Sequence, residues 1–287
     1  MHKILLSADS TCDLSAELKE RYNVHYYPFH IIYRDVDYQD NVDIHPGDIF
    51  AGYYEDKSLP KTAASSPAEF IEYFKPFVDE GYEVIHISLG SALSLSHDNA
   101  CAAARELDHV YVVDSQNLST GSGQLVIRAG RMIEEGVSAP EIVERLEKLR
   151  DCVHASFVLD TMDFLAAGGR CPALLAYAGS ILKLKPSILV DNKDGSMGVG
   201  KIYRGKLERA VVSYVKDTLA KYDDIICDDV FITYSDIDQE IADAAEAAVR
   251  EVLDVERIHQ TQASCTISSH CGPGTLGVLF VTESACK

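Results

Sequence analysis

Between Lys3 and Arg150 the chain alternates short apolar runs with segments of helical periodicity, and this alternation limits the fold more than any other feature. Apolar strands separated by helices favour a parallel sheet with helices on both faces. Lys3–Ala8 predicts a strand, followed by the helix AELKERY with Asp13 or Ser15 as its cap. Val24–Ile32 predicts a strand rich in Tyr and Ile. Pro46 suits the first turn of a helix over Asp48–Glu55. Ser66-Pro67 starts another helix, on which Phe70, Ile71, Phe74, Phe77 and Val78 share a face. Glu83–Leu89 and Val110–Val113 predict strands. Ser94–Leu107, Thr120–Glu135 and Ser138–Arg150 predict helices, and in the last Ser138 and Glu141 have capping-box spacing. Ligands on parallel sheets bind at the carboxyl ends of strands, so Gly90–Ser96 and Asp114–Gly123 become segments of interest.

The second half is patterned differently. Val153–Leu159 predicts a strand and Thr161–Ala167 a helix that ends at Gly168-Gly169. The turn Asn192–Gly195 lies between Ile188–Val190 and Val199–Tyr203, a hairpin signal. Helices are expected at Lys206–Tyr222 and Asp238–Leu253, and strands at Val230–Tyr234, Val255–Gln260 and Val278–Thr282. This is an α+β pattern with antiparallel pairing. The expectation is therefore two domains, 1–155 of α/β type and 156–287 of α+β type, with the boundary near Arg150–Thr161.

Lys and Arg number 26 against 45 Asp and Glu, a formal charge of −19. Such a chain is repelled by nucleic acids and by anionic lipid, so no nucleic-acid partner and at most transient membrane contact are expected. The longest uncharged apolar stretch, Cys171 to Leu182, is well short of the ~20 residues of a membrane span. Nothing at the N-terminus reads as an export signal, so the eight cysteines are expected to be reduced thiols in a cytoplasm. Cys265 and Cys271 lie near His259 and His270, but their spacing is a poor match to metal ligands, and no metal is expected.

Several segments carry candidate chemistry. Gly272-Pro-Gly274-Thr-Leu-Gly277 matches GxGxxG by letter, but it precedes a strand close to the C-terminus, where no helix fits behind it, so a dinucleotide site is rejected. A glycine turn beside His270 can still offer backbone N–H groups to an anion. Ser91, Ser94 and Ser96 are nucleophile candidates with His270 as base, or simply helix-capping hydroxyls. Lys61 to Pro67 reads as a polar turn and cap, with Thr62 as a possible anion ligand. Asp223-Asp224 and Asp228-Asp229 read as a solvated acidic loop, Asp9 and Asp13 as helix caps, and His97 as a surface or core-edge residue. Arg170 either binds an anion or serves a helix C-terminus.

Seven segments in register resemble one family. Ser7 to Leu14 (SADSTCDL) is similar to its D-S-x-x-D-L start, and Lys61-Thr62 followed by Ser and Pro to its K-T-S-Q-P turn. Ile87 to Ser94 (ISLGSALS) is similar to I-x-L-S-S-x-L-S-G-T, and Val112 to Ser115 to V-x-D-S. Phe164 to Arg170 resembles L-x-x-G-G-R, Leu184-Lys185-Pro186 a K-P strand start, and His270 to Gly274 a closing H-x-G-x-G. The family is DegV, the bacterial fatty-acid-binding proteins, and the resemblance runs over essentially the whole chain. It implies a two-domain fold enclosing one long-chain fatty acid, with no cofactor and no catalysis by this chain alone. It also implies a partner kinase that converts the bound acid to an acyl-phosphate. By motif position Thr62, Ser94 and His270 hold the carboxylate. Arg170 and Arg204 lie at the exposed side, for phosphoryl transfer or kinase docking, and Ser91 and Gly272 are secondary candidates. The Leu and Ala residues of 171–184 are expected in the tunnel wall, and the protein is expected to be a monomer. The sequence departs from the pattern at Ala63-Ala64, at Gly90, and at Leu95-Ser96, where Gly-Thr is usual. The competing reading is an acyl-ester or thioester hydrolase using Ser94 and His270.

Overall fold

A computed structural model describes residues 3–177 and 184–284 of the chain. In chain order the strands are β1 (Lys3–Asp9), β2 (His25–Tyr27), β3 (His30–Tyr33), β4 (Val36–Gln39), β5 (Lys61–Ala63), β6 (Tyr82–Ser88) and β7 (Val110–Asp114), then β8 (Val153–Val158), β9 (Leu184–Val190), β10 (Met197–Arg204), β11 (Asp229–Ser235), β12 (Arg257–Gln262) and β13 (Thr275–Val281). The helices are α1 (Ala16–Arg21), α2 (Pro46–Asp56), α3 (Pro67–Asp79), α4 (Ser96–Arg105), α5 (Ser119–Glu134), α6 (Ala139–Leu149), α7 (Asp163–Gly168), α8 (Leu207–Leu219), α9 (Gln239–Val252) and α10 (Cys265–Cys271).

The alternating first half builds a four-stranded parallel sheet, β2-β1-β6-β7. The second half builds a six-stranded mixed sheet, β10-β9-β8-β13-β11-β12, in which β9 and β10 form the antiparallel hairpin around the Asn192–Gly195 turn. A small antiparallel sheet, β4-β3-β5, completes the α/β architecture. Helix α5 lies between the two large sheets and is buried over most of its length. Its small residues permit this close approach: a Cβ on Gly123 would come within 2.9 Å of the Cys12 carbonyl oxygen, and one on Gly121 would strike the Asn117 side chain. The small sheet and α2 form a core with Phe164 and Cys265, so part of the N-terminal half packs on the C-terminal half.

Several local expectations are corrected. Val24–Ile32 is not one strand. Pro28 has no N–H to donate, and the chain leaves the parallel sheet there: β2 pairs with β1, whereas β3 pairs with β4 and β5. Lys61 to Ala63 is a strand rather than a turn. Ser15, not Asp13, caps α1. The Ser138 side chain makes no cap bond, although a helix begins beside it. The capping box forms instead at Ser66 and Glu69.

Asp9, Asp13 and Asp229 are buried rather than caps or solvated loop residues, whereas Asp223 is exposed as expected. Asp9 is fully buried and accepts hydrogen bonds from the Leu89 N–H (2.6 Å) and His86 Nε2 (3.1 Å), tying β1 to β6. Asp13 is buried and accepts from Ser119 Oγ (2.6 Å) and the Ser264 N–H (2.9 Å). Asp229 is buried against Arg131, Arg257 and His259, and Asp228 accepts from Arg128 and Arg131. Of the four acidic residues expected in the loop, Asp223 and Asp224 stay outside this cluster, and Asp224 accepts from the Ser284 hydroxyl. His97 takes the core-edge role, bonding Ser88 Oγ through Nδ1 (2.9 Å). Among the described residues no group of His, Cys, Asp and Glu is arranged to hold a metal, and no helix is long and apolar enough to cross a membrane.

Candidate functional site

Thr62 and His270, 208 residues apart in sequence, meet directly: Thr62 Oγ1 lies 2.9 Å from His270 Nε2. The small sheet holds the threonine through the pairing of Thr62 with Ile31. Helix α10 holds the histidine. Its cap Ser264 accepts from the Ile267 N–H, and its first turn is clamped by Asp40, which accepts from the N–H groups of Cys265 (2.8 Å) and Thr266 (3.3 Å) and from Thr266 Oγ1 (2.7 Å). Asp13 bonds the Ser264 N–H from the other side. Gly168 lies against the imidazole, where a Cβ would come within 2.3 Å of Nδ1. The first glycine of the Gly168-Gly169 pair therefore makes room for His270. The second, with φ +69°, ends α7 in the left-handed conformation that glycine adopts without strain.

Thr62, Ser94, Arg170 and His270 all line one chamber of about 160 Å³, closed on its apolar side by Leu118 and Ile267. The segment after the carboxyl end of β6 contributes Leu93, Ser94 and Leu95. Ser94 lines the chamber, and its Oγ accepts from the N–H of Ser96 (3.2 Å), the first residue of α4, while contacting Ser96 Oγ (3.0 Å). Arg170 is anchored by Nε to the Leu93 carbonyl (3.2 Å) and by an Nη to the Gly168 carbonyl (2.6 Å). It makes no ion pair among the described residues, and its charge acts on His270. Burial first, and the Arg170 cation second, push the His270 pKa down to about 4, so the ring is neutral near pH 7.

A second, apolar chamber of about 60 Å³ lies between the mixed sheet and α10, at the start of α5, with Phe157, Leu165 and Leu279 in its wall. It shares Leu118, Met197, Ile267 and His270 with the polar chamber, so the two are neighbours across a common partition.

The remaining sequence candidates stand apart. Ser91 is exposed and donates its hydroxyl to Asp114 (2.6 Å). Arg204 is exposed at the far end of β10 from Met197, roughly 20 Å away at ~3.3 Å per residue. The glycine turn offers no N–H to an anion, because Gly272 donates to the Ser268 carbonyl (2.9 Å) and Gly274 to that of Ser235 (2.8 Å). Gly272 acts sterically: its φ is +75°, and a Cβ there would strike Phe164 at 2.7 Å. Ser94 and His270 are not hydrogen-bonded to each other, and among the described residues no carboxylate bonds the ring, so the arrangement expected of a hydrolase is not assembled. Leu174 is buried but lines neither chamber, and residues 178–183 of the expected tunnel wall lie outside the described residues. The departure at Gly90 has a steric reason. A Cβ there would come within 2.9 Å of the Asn117 backbone. Met197, Leu118 and Ile267 escaped the sequence reading, because isolated apolar residues carry no signal that separates a cavity wall from a core.

A family model described as an uncharacterised protein of the DegV family matches residues 3–283. The chain belongs to the DegV family. A DegV domain-containing protein of Caldanaerobacter subterraneus is 32% identical over 284 residues, covering 98% of this chain and 99% of that one. Among solved structures, a DegV-family protein from Thermus thermophilus, described by its fatty-acid binding, superposes with a TM-score of 0.89 at 30% identity, covering 98% of this chain and all of the other. A stearic-acid-binding protein from Eubacterium ventriosum superposes with a TM-score of 0.84 at 26% identity, covering 99% of each chain.

Proposed function

We propose that this DegV-family chain binds one long-chain fatty acid and presents its carboxylate to a partner kinase for acyl-phosphate formation. The observation that carries the reading is the shared partition. A polar chamber holding Thr62, Ser94 and His270 abuts an apolar chamber through Leu118, Met197, Ile267 and His270. An amphiphile with one acidic end and an apolar tail is the ligand class such a pairing recognises, and a full-length tail is expected to widen the apolar chamber of about 60 Å³ as it enters. The two relatives described as binding fatty acid or stearic acid support it.

The chemistry of the polar end suits a carboxylate. Burying a carboxylate is costly unless donors meet it. The Thr62 and Ser94 hydroxyls and the neutral His270 ring supply N–H and O–H donors, with the Arg170 cation in the same chamber wall. The tail dominates affinity: at ~0.8 kcal/mol per buried methylene, an acyl chain of about sixteen carbons contributes on the order of 12 kcal/mol before ordering costs. The polar contacts then orient the ligand more than they retain it.

Arg170 stands at the mouth of the chamber, beside a further space of about 300 Å³ lined by Ala92, Gly169 and Pro172. Its guanidinium suits an incoming phosphoryl group. Arg204, too far to touch the carboxylate, is assigned to kinase docking.

The test is mass spectrometry of the lipid extracted from protein purified without added fatty acid. A stoichiometric fatty acid, lost in His270→Ala while the fold persists by circular dichroism, supports the reading. A protein that carries none and takes up none when supplied sinks it.

A further inference from the structure

We propose that Asn99 is a positioning residue for the carboxylate site, one that sets the spacing between the Thr62 and Ser94 hydroxyls. The inference rests on the fatty-acid reading. The two hydroxyls line the same polar chamber but come from separate segments. Thr62 lies on β5, an edge strand of the small sheet, and Ser94 lies between β6 and α4. They do not bond each other: Thr62 Oγ1 bonds His270, and Ser94 Oγ bonds Ser96. Their separation therefore depends on how one segment is held to the other.

Asn99 makes that tie. Its Nδ2 donates to the Ser65 carbonyl at 2.8 Å, the one side-chain hydrogen bond between α4 and the β5–α3 link among the described residues. Each end of the tie is itself fixed. On the α4 side the Asn99 N–H donates to the carbonyl of Leu95 (3.0 Å), the residue after Ser94, and His97 Nδ1 bonds Ser88 Oγ of β6 (2.9 Å). On the other side Ser65 is fully buried, and the Ser66–Glu69 capping box follows at once. Between Thr62 and Ser65 stand only Ala63 and Ala64, both exposed and neither with a polar side chain. Ala63 pairs with His30 at the end of β5, and the Asn99 amide takes hold two residues later. Packing of α3 on α4 fixes the two helices, and the amide fixes the link that precedes α3.

A carboxylate accepts through two oxygens of fixed separation, so it gains from two donors only when their spacing matches. A primary alcohol has one oxygen and needs only one of them. Loss of the brace therefore lowers affinity for the acid more than for the alcohol of the same chain length. A general loss of structure lowers both alike.

The experiment measures binding of hexadecanoate and hexadecanol to the wild type, Asn99→Leu, Asn99→Ala, Thr62→Ala and the double variant Thr62→Ala/Asn99→Leu, with circular dichroism as the folding check. Asn99→Leu keeps the side-chain shape and removes the donor. In both Asn99 variants the acid-to-alcohol affinity ratio is expected to fall by about threefold to tenfold, the value of roughly one hydrogen bond. In the Thr62→Ala background the same change is expected to move the ratio by less than about twofold, because residues that act through one another are not additive. A ratio equal to wild type in the Asn99 variants, an equal loss for acid and alcohol, or the same drop with and without Thr62 overturns the positioning role and leaves the fatty-acid reading intact. A wild type that does not bind hexadecanoate overturns both. If Asn99→Leu fails to fold, Asn99→Ala decides by the same ratio, alone and combined with Thr62→Ala.

Discussion

Asp229 and Asp13 are both buried, both join the N-terminal and C-terminal halves, and differ in what surrounds their charge. Asp229 on β11 meets Arg131 from α5, with Arg257 and His259 from β12. These partners hold its carboxyl far below the usual carboxylate range despite burial. Asp13 meets no cation. Burial pushes its pKa up to about 7, although Ser119 and Ser264 donate to it. Asp40, which also bonds the first turn of α10, is raised by burial too. The first arrangement locks α5 onto the mixed sheet with charge. The second steers the helix that carries Ile267 and His270 with hydrogen bonds alone, and leaves Arg170 as the cation in the wall of a chamber read as a carboxylate site.

Breaking the lock has the largest expected effect. Asp229→Ala removes the buried carboxylate that Arg131, Arg257 and His259 share; Arg131 keeps Asp228 and Arg257 keeps Glu256, so the loss is expected at the low end for a broken buried ion pair, about 3 kcal/mol. Urea denaturation reads this directly, and a loss under about 1 kcal/mol would mean the cluster is solvated after all. Breaking the steering contact costs less. Asp40→Ala strands the Cys265 and Thr266 N–H groups and the Ser10 hydroxyl, an expected loss of about 1–3 kcal/mol together with weaker fatty-acid retention. Retention equal to wild type would show that α10 does not depend on the clamp.

The two aspartates also differ in the sign of their pH response. Between about pH 4 and 7 folded Asp13 holds a proton that the unfolded chain has released, so its contribution to stability falls as pH rises through that window. Asp229 behaves oppositely: its contribution is present above the ordinary carboxylate pKa and is lost on acidification below it. In Asp13→Asn the stability difference from wild type is expected to move in the variant's favour between pH 5 and pH 8, measured by thermal melts across that range. A constant difference would refute the raised pKa. The smallest stability effect belongs to the site. Thr62→Ala is expected to change unfolding free energy by under about 0.5 kcal/mol, yet to weaken fatty-acid binding roughly tenfold, as loss of one hydrogen bond to a charged group does. A titration with a fluorescent fatty acid checks it, and unchanged affinity would remove Thr62 from the site.

Much of this was legible beforehand. Periodicity marked β1, α3, β6 and the β9–β10 hairpin, because each repeats its apolar spacing over enough residues to stand above chance. The short elements were not legible. Three-residue β5 and the polar helix α10, CTISSHC, contain no periodic apolar face, yet they carry Thr62 and His270. Pattern alone left Thr62 and His270 as candidates beside bland alternatives, and the resemblance assigned them to one site. The aspartates misled for a physical reason. Asp after a strand or in a DD pair is ordinarily a cap or a surface residue, and only neighbours from distant segments reverse that. Arg131 lies 98 residues from Asp229, and Ser264 lies 251 from Asp13.

The sequence by itself determined the alternating parallel half, the antiparallel hairpin half and the set of polar residues available to an anion, since these depend on spacing within a few residues. Only the tertiary structure decided that Thr62 meets His270, that Ser91 and Arg204 lie apart from them, and that Met197 lines both the polar and the apolar chamber. Enclosure is a property of surfaces that approach from separate sheets, and no local pattern encodes which distant residues will face one another.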